Sequence, residues 1–111
     1  DGGIADNPRP ITYQAKYDAL VANKIEKKKS ELVTIAGKFC ESGDILIKDI
    51  QIQPVQTGDI LAIPGTGAYN YSMASNYNQA LRPTMILVKK GKAKIIVNRE
   101  KYEDLIKNQL E

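Results

Sequence analysis

The 111-residue chain has one cysteine, and a carboxylate follows it directly: Gly37-Lys38-Phe39-Cys40-Glu41-Ser42-Gly43-Asp44. A positioned thiol can pass a proton, and a carboxylate can accept hydrogen bonds from an ammonium group. The apolar run Leu32-Val33-Thr34-Ile35-Ala36 enters this stretch and Ile45-Leu46-Ile47 leaves it. Cys40 and Glu41 therefore fall at a turn closed by Ser-Gly-Asp, where side chains face a partner rather than a core. The opposing reading of a lone cysteine is a small buried hydrophobe. Arg9 is a second candidate. It lies between Pro8 and Pro10, which stiffen the backbone on both sides, and one helical turn from Tyr13. A planar guanidinium can grip a carboxylate with two parallel hydrogen bonds. The opposing reading is a surface-loop arginine and a core tyrosine. A third stretch, Pro64-Gly65-Thr66-Gly67, could turn tightly around a phosphate, although the Gly-Lys-Ser/Thr phosphate-loop signature is absent.

Several other chemistries are excluded. With no histidine and a single cysteine, the usual zinc constellations, histidine-dependent triads and an intrachain disulfide are all ruled out. This cysteine usage points to a reducing, cytoplasmic setting. The net charge of +3 is mild, and much of it comes from Lys27-Lys28-Lys29 and the Lys89-Lys90-Gly91-Lys92 turn. Those read as solvated loops, not a nucleic-acid surface. No apolar run is long enough to span a bilayer. The chain starts at Asp1 without Met, which reads as a piece cut from a longer protein.

The elements that must position these residues are short. Ile11 to Tyr17 can form one or two helical turns, and Ala19 to Ala22 a short strand ending near Asn23-Lys24. Glu31 to Ala36, with β-branched Val33, Thr34 and Ile35, predicts a second strand. Ile45 to Ile52 reads as extended, with its isoleucines on mixed faces. Ile60 to Ile63 predicts a short buried strand after the Thr57-Gly58-Asp59 turn. Thr84–Val88 and Lys94–Val97 flank a glycine-containing loop and predict a β-hairpin. Tyr102, Leu105, Ile106 and Leu110 fall at helical spacing over residues 99–109, predicting an amphipathic closing helix. Short strands, Gly/Pro turns and a terminal helix favour a mainly β sandwich or barrel, with a short helix near the N-terminus.

Three stretches together carry a family resemblance: Asp1-Gly2-Gly3-Ile4-Ala5-Asp6-Asn7-Pro8-Arg9-Pro10 with Tyr13, Cys40-Glu41-Ser42-Gly43-Asp44, and Gly67-Ala68-Tyr69-Asn70-Tyr71-Ser72-Met73-Ala74-Ser75-Asn76-Tyr77-Asn78. In this order and spacing the chain resembles the C-terminal part of the diaminopimelate decarboxylases, from Asp1 to about Tyr102. These are pyridoxal-phosphate enzymes of the alanine-racemase-like fold type. They convert meso-diaminopimelate to lysine and CO₂ in lysine biosynthesis. The resemblance implies a Greek-key-like β domain over residues 1–111, with the (β/α)₈ barrel and its Schiff-base lysine outside this chain. It implies that Cys40 is the catalytic proton donor, and that Arg9, Tyr13, Glu41 and Tyr69 bind substrate, Tyr69 touching the cofactor as well. It also implies a homodimer in which Cys40 and Glu41 reach the partner's site, and that this fragment alone is inactive. Related decarboxylases acting on ornithine, arginine or carboxynorspermidine, and a non-catalytic β module that binds a ligand, are the competing readings.

Overall fold

A computed structural model describes residues 1–110, which form two compact units, residues 1–74 and 75–110. The architecture is mainly β with three short α-helices. Three separate two-stranded antiparallel ribbons are present, and no closed barrel forms among the described residues.

In the first unit, helix α1 spans Arg9–Tyr13. Pro10 sits in its first turn, where a missing N–H removes no helical hydrogen bond. The helix starts two residues earlier than expected and takes in Arg9 itself. It stops at Gln14, whose backbone is left-handed (φ 54°), so Tyr17 lies beyond it. Strand β1 is only Leu20–Val21, because Ala22–Lys24 tightens into a 3₁₀ turn. Strand β2 (Glu31–Ala36) pairs with β3 (Ile45–Ile52), and β4 (Leu61–Ala62) pairs with β1.

The mixed faces of β3 have a specific cause. Val33 pairs with Ile50 while Ile35 pairs with Ile47, so one extra residue is held on β3 between them. Asp49 lies in that bulge with φ 52°. The bulge reverses the parity of the strand, so Ile47 and Ile52, an odd and an even position, are both buried. Ile35, Ile47 and Ala19 form a buried cluster, against which Tyr17, Val33, Leu46, Ile50 and Ile63 pack. The expectation of a buried strand at Ile60–Ile63 is corrected. β4 has two residues, pairs on one side only, and leaves Ile60 and Leu61 exposed. A short helix α2, Asn70–Met73, follows the glycine-rich turn and was not anticipated.

In the second unit, β5 (Met85–Lys89) and β6 (Lys92–Val97) form the expected hairpin. Its two-residue turn, Lys90-Gly91, has positive φ at both positions (50° and 71°), which matches the right-handed twist of the flanking strands. The closing helix is shorter than its periodicity suggested: α3 covers Tyr102–Ile106 only. The Lys101 N–H donates to the Asp104 carboxylate at its start (2.8 Å). A turn closes its end, where the Gln109 N–H donates to the Ile106 carbonyl (2.8 Å). Leu110, expected on the apolar face of the helix, is exposed.

Candidate active-site face

The five residues singled out from the sequence all belong to the first unit. Three local structures present them: α1, the β2–β3 turn, and the turn that opens α2.

The β2–β3 turn is tightly wired. The Gly37 N–H donates to the Asp44 carbonyl (2.8 Å), that of Glu41 to the Phe39 carbonyl (2.8 Å), and that of Asp44 to the Glu41 carbonyl (3.1 Å). The Glu41 carboxylate accepts from the Gly43 N–H (3.2 Å). Cys40 and Glu41 are both exposed, which removes the buried-hydrophobe reading of the cysteine. Gly43 is where helix α1 meets the turn: a Cβ there would lie 2.1 Å from Ile11 Cδ1. A side chain there would have to displace the tip of Ile11, so the Arg9–Tyr13 helix and the Cys40-Glu41 turn are neighbours by direct packing.

Arg9 is half-buried, and its guanidinium lies 5.0 Å from the Tyr69 ring centroid and 5.6 Å from that of Tyr13. Both contacts are cation–π distances. Tyr13 is 62% exposed, so it is no core residue. Among the described residues no carboxylate forms an ion pair with Arg9. Its charge lies against two aromatic faces. Tyr69, also exposed, takes φ 70°, an unfavourable backbone for a non-glycine residue. Its carbonyl accepts from the Met73 N–H (2.8 Å) and the Ser72 hydroxyl (2.9 Å), which holds the Tyr69 backbone at the head of α2.

Two features went unread in the sequence. Asp44 is only 4% exposed, and its carboxylate accepts from the N–H groups of Ile4 and Phe39, each at 2.8 Å. Asn7 and Asn70 are buried too. With its amide nitrogen donating to the carbonyls of Thr66 (3.1 Å) and Ala68 (3.3 Å), Asn70 turns its oxygen to the Asn7 amide at 2.9 Å, a hydrogen bond when the Asn7 amide is likewise turned so that its nitrogen donates. Asn7 stands two residues before Arg9 and Asn70 one after Tyr69, so this contact joins the loops that bring those two together. An asparagine in a polar loop carries no signal of burial, which is why neither was singled out.

The ion pairs lie elsewhere in the chain. Lys24 pairs with Asp59, and a lysine hydrogen bond, with help from the Asn23 amide, lowers that carboxyl to about 2. In the second unit, Arg82 pairs with Glu100 (2.5 Å) and lowers its carboxyl to about 2, mainly through the guanidinium hydrogen bond.

Residues 1–67 match the family described as pyridoxal-dependent decarboxylase, C-terminal sheet domain. The chain belongs to that family. The match takes in Arg9, Tyr13, Cys40 and Glu41 and ends two residues before Tyr69. The chain is 53% identical over 107 residues to a diaminopimelate decarboxylase of Synechocystis sp., covering 96% of this chain and 23% of that protein. To the Bacillus subtilis diaminopimelate decarboxylase it is 54% identical over 110 residues, covering 99% of this chain and 25% of the other. The crystal structure of the M. jannaschii diaminopimelate decarboxylase superposes with a TM-score of 0.89 at 40% identity, covering all of this chain and 25% of that one. The Helicobacter pylori enzyme, solved in complex with L-lysine, gives 0.83 at 35% identity, over 96% of this chain and 26% of the other. This decarboxylase sheet domain thus spans about a quarter of the curated relatives it matches. Among the described residues no helix is long and apolar enough to cross a membrane.

Proposed function

We propose that residues 1–111 are the C-terminal β domain of a cytoplasmic diaminopimelate decarboxylase that releases CO₂ from meso-diaminopimelate to leave L-lysine. The observation that carries this reading is Arg9: a half-buried guanidinium between two tyrosine faces, with no carboxylate partner among the described residues. Such a group suits the distal carboxylate of the substrate, and a polyamine-type substrate has none to offer.

Pyridoxal phosphate, when bound, takes up the electron pair left at the α-carbon as the carboxylate departs. The residues here fit one edge of that group and not a whole cradle. They offer the exposed Tyr69 phenol and, at Gly65 and Gly67, backbone with open space where a side chain would stand. The covalent lysine and the rest of the cradle belong to an N-terminal (β/α)₈ barrel outside this chain. Arg9, steadied by Tyr13 and Tyr69, grips the distal carboxylate with two hydrogen bonds. Glu41 receives the distal ammonium group. Cys40 delivers a proton to the α-carbon after CO₂ has left. The exposed turn carrying Cys40 and Glu41 reaches the site of a second subunit, so the enzyme is a C₂ homodimer with two shared sites. The β1–β4 and β2–β3 ribbons belong to a Greek-key-like sandwich or barrel.

The intact protein, assayed with pyridoxal phosphate and meso-diaminopimelate, should yield CO₂ and lysine; no turnover would overturn the reading. Sharing of sites is tested by mixing two inactive dimers, Glu41→Ala and one lacking the barrel lysine. Mixed dimers contain one intact site and should recover activity. Without recovery, Glu41 acts within its own subunit or not at all.

A further inference from the structure

We infer that Asp44 is a positioning residue for both sites that this chain serves: one buried carboxylate sets the Arg9 loop, which serves one site, in register with the Cys40-Glu41 turn, which reaches the other. The inference rests on the decarboxylase reading for its catalytic consequence and on geometry for its cause. Asp44 begins the exit from the turn and is 4% exposed. Its Oδ1 accepts from the Ile4 N–H at 2.8 Å, 40 residues away in the chain. Its Oδ2 accepts from the Phe39 N–H, also at 2.8 Å, one residue before Cys40. The loop then runs from Ile4 to Asn7, which is held on Asn70, and on to Arg9. A further bond, from the Lys38 N–H to the Gly2 carbonyl (3.3 Å), runs alongside.

The surroundings are shaped for this carboxylate. A Cβ on Gly37 would stand 2.1 Å and 2.2 Å from its two oxygens, and a Cβ on Gly3 would stand 2.7 Å from both. Neither glycine has positive φ, so it is space, for the Asp44 carboxylate at Gly37 and for that carboxylate and the Phe39 ring (Cδ2 at 2.6 Å) at Gly3, that calls for glycine at both positions. Among the described residues no lysine or arginine forms an ion pair with Asp44, so main-chain amides alone hold it. Both oxygens face donors. Asparagine, of equal size, would set its NH₂ against one of those N–H groups and lose half of the link.

The test uses the intact enzyme that contains this chain. Asp44→Asn should lower kcat/KM by roughly 10- to 100-fold, the range for losing a charge-assisted hydrogen bond. In an Arg9→Ala background, which keeps measurable activity, the same substitution should cost at least about threefold less, because part of what Asp44 positions is already gone. An equal factor in both backgrounds marks a purely structural role and overturns the inference, as do wild-type kinetics. Amide hydrogen exchange gives a readout independent of activity. In the wild type, the Ile4 and Phe39 amides should be protected together, and in Asp44→Asn at least one should exchange about tenfold faster or more. If the enzyme does not decarboxylate diaminopimelate, the functional reading fails while the exchange result still decides the link. If Asp44→Asn does not fold, the wild-type measurement decides it, and unprotected Ile4 and Phe39 amides would overturn it.

Discussion

Every buried side chain of the described residues lies in the first unit, with Asn7, Asp44, Gln53 and Asn70 among the apolar ones; residues 75–110 have none. The second unit depends instead on main-chain pairing in the β5–β6 hairpin and on Glu100, whose carboxylate accepts from Arg82 and from the Asn76 amide. The difference shows what a site needs from its scaffold. Where residues 1–74 bring Arg9, Tyr13 and Tyr69 together and set α1 against the Cys40-Glu41 turn, they bury polar groups, and each of these joins segments far apart in sequence. Such links tolerate no change of shape, because a displaced partner leaves an unpaired polar group out of reach of water. A solvent-facing hairpin can lose a contact and hydrate what remains.

The largest expected effect is therefore in the first unit. Gly37→Ala drives a methyl group into the Asp44 carboxylate. Overpacking plus one or two broken buried hydrogen bonds should cost about 3 kcal/mol or more, read as a lowered denaturation midpoint of the intact protein. If the substitution proves neutral, the contrast between the units is wrong. Arg82→Ala in the second unit should cost less, about 1–2 kcal/mol, since Glu100 can turn to water.

That pair also makes a pH prediction. The folded Glu100 carboxyl is lowered from 4.5 to about 2 by Arg82. A depressed carboxyl stabilises the fold above its unfolded value and loses that contribution as pH falls toward the folded one. Stability should therefore decline between about pH 4.5 and 2, and Arg82→Ala should flatten the Glu100 part of that decline. Asp59, lowered from 3.8 to about 2 by Lys24, gives the first unit its own acid-sensitive step in nearly the same window. The smallest effect is at the hairpin turn. Gly91 has φ 71°, with nothing within reach of an added Cβ. Gly91→Ala should cost only about 1 kcal/mol, from backbone strain alone.

Much of this was legible in the sequence, and the rest was hidden for identifiable reasons. The Cys40-Glu41 turn, β2 and the hairpin could be read because a glycine or Ser-Gly-Asp signal sits between β-forming runs. The bulge at Asp49 could not, since a parity switch in a row of isoleucines looks the same as an ambiguous register. Helix α1 begins earlier than expected because prolines that stiffen a loop also suit a helix's first turn. The closing helix stops at Ile106, for helical spacing of apolar residues does not say where a turn will end it. Asp44 was visible as part of a turn, but its burial and its two donors are properties of the folded chain alone.

The most direct test of the central claim is the kinetics of Arg9 variants in the intact enzyme, with meso-diaminopimelate compared against an analogue lacking the distal carboxylate. Arg9→Ala should lower kcat/KM for diaminopimelate about 10- to 100-fold, much of it through KM, because the contact lies away from the bond that breaks. Arg9→Lys should recover only part of this, since an ammonium offers no planar fork and stacks less well between Tyr13 and Tyr69. Discrimination between the two substrates should shrink in step with the loss. Unchanged kinetics and unchanged discrimination in a well-folded Arg9→Ala enzyme would contradict the account and leave the guanidinium a surface ornament of the two tyrosines.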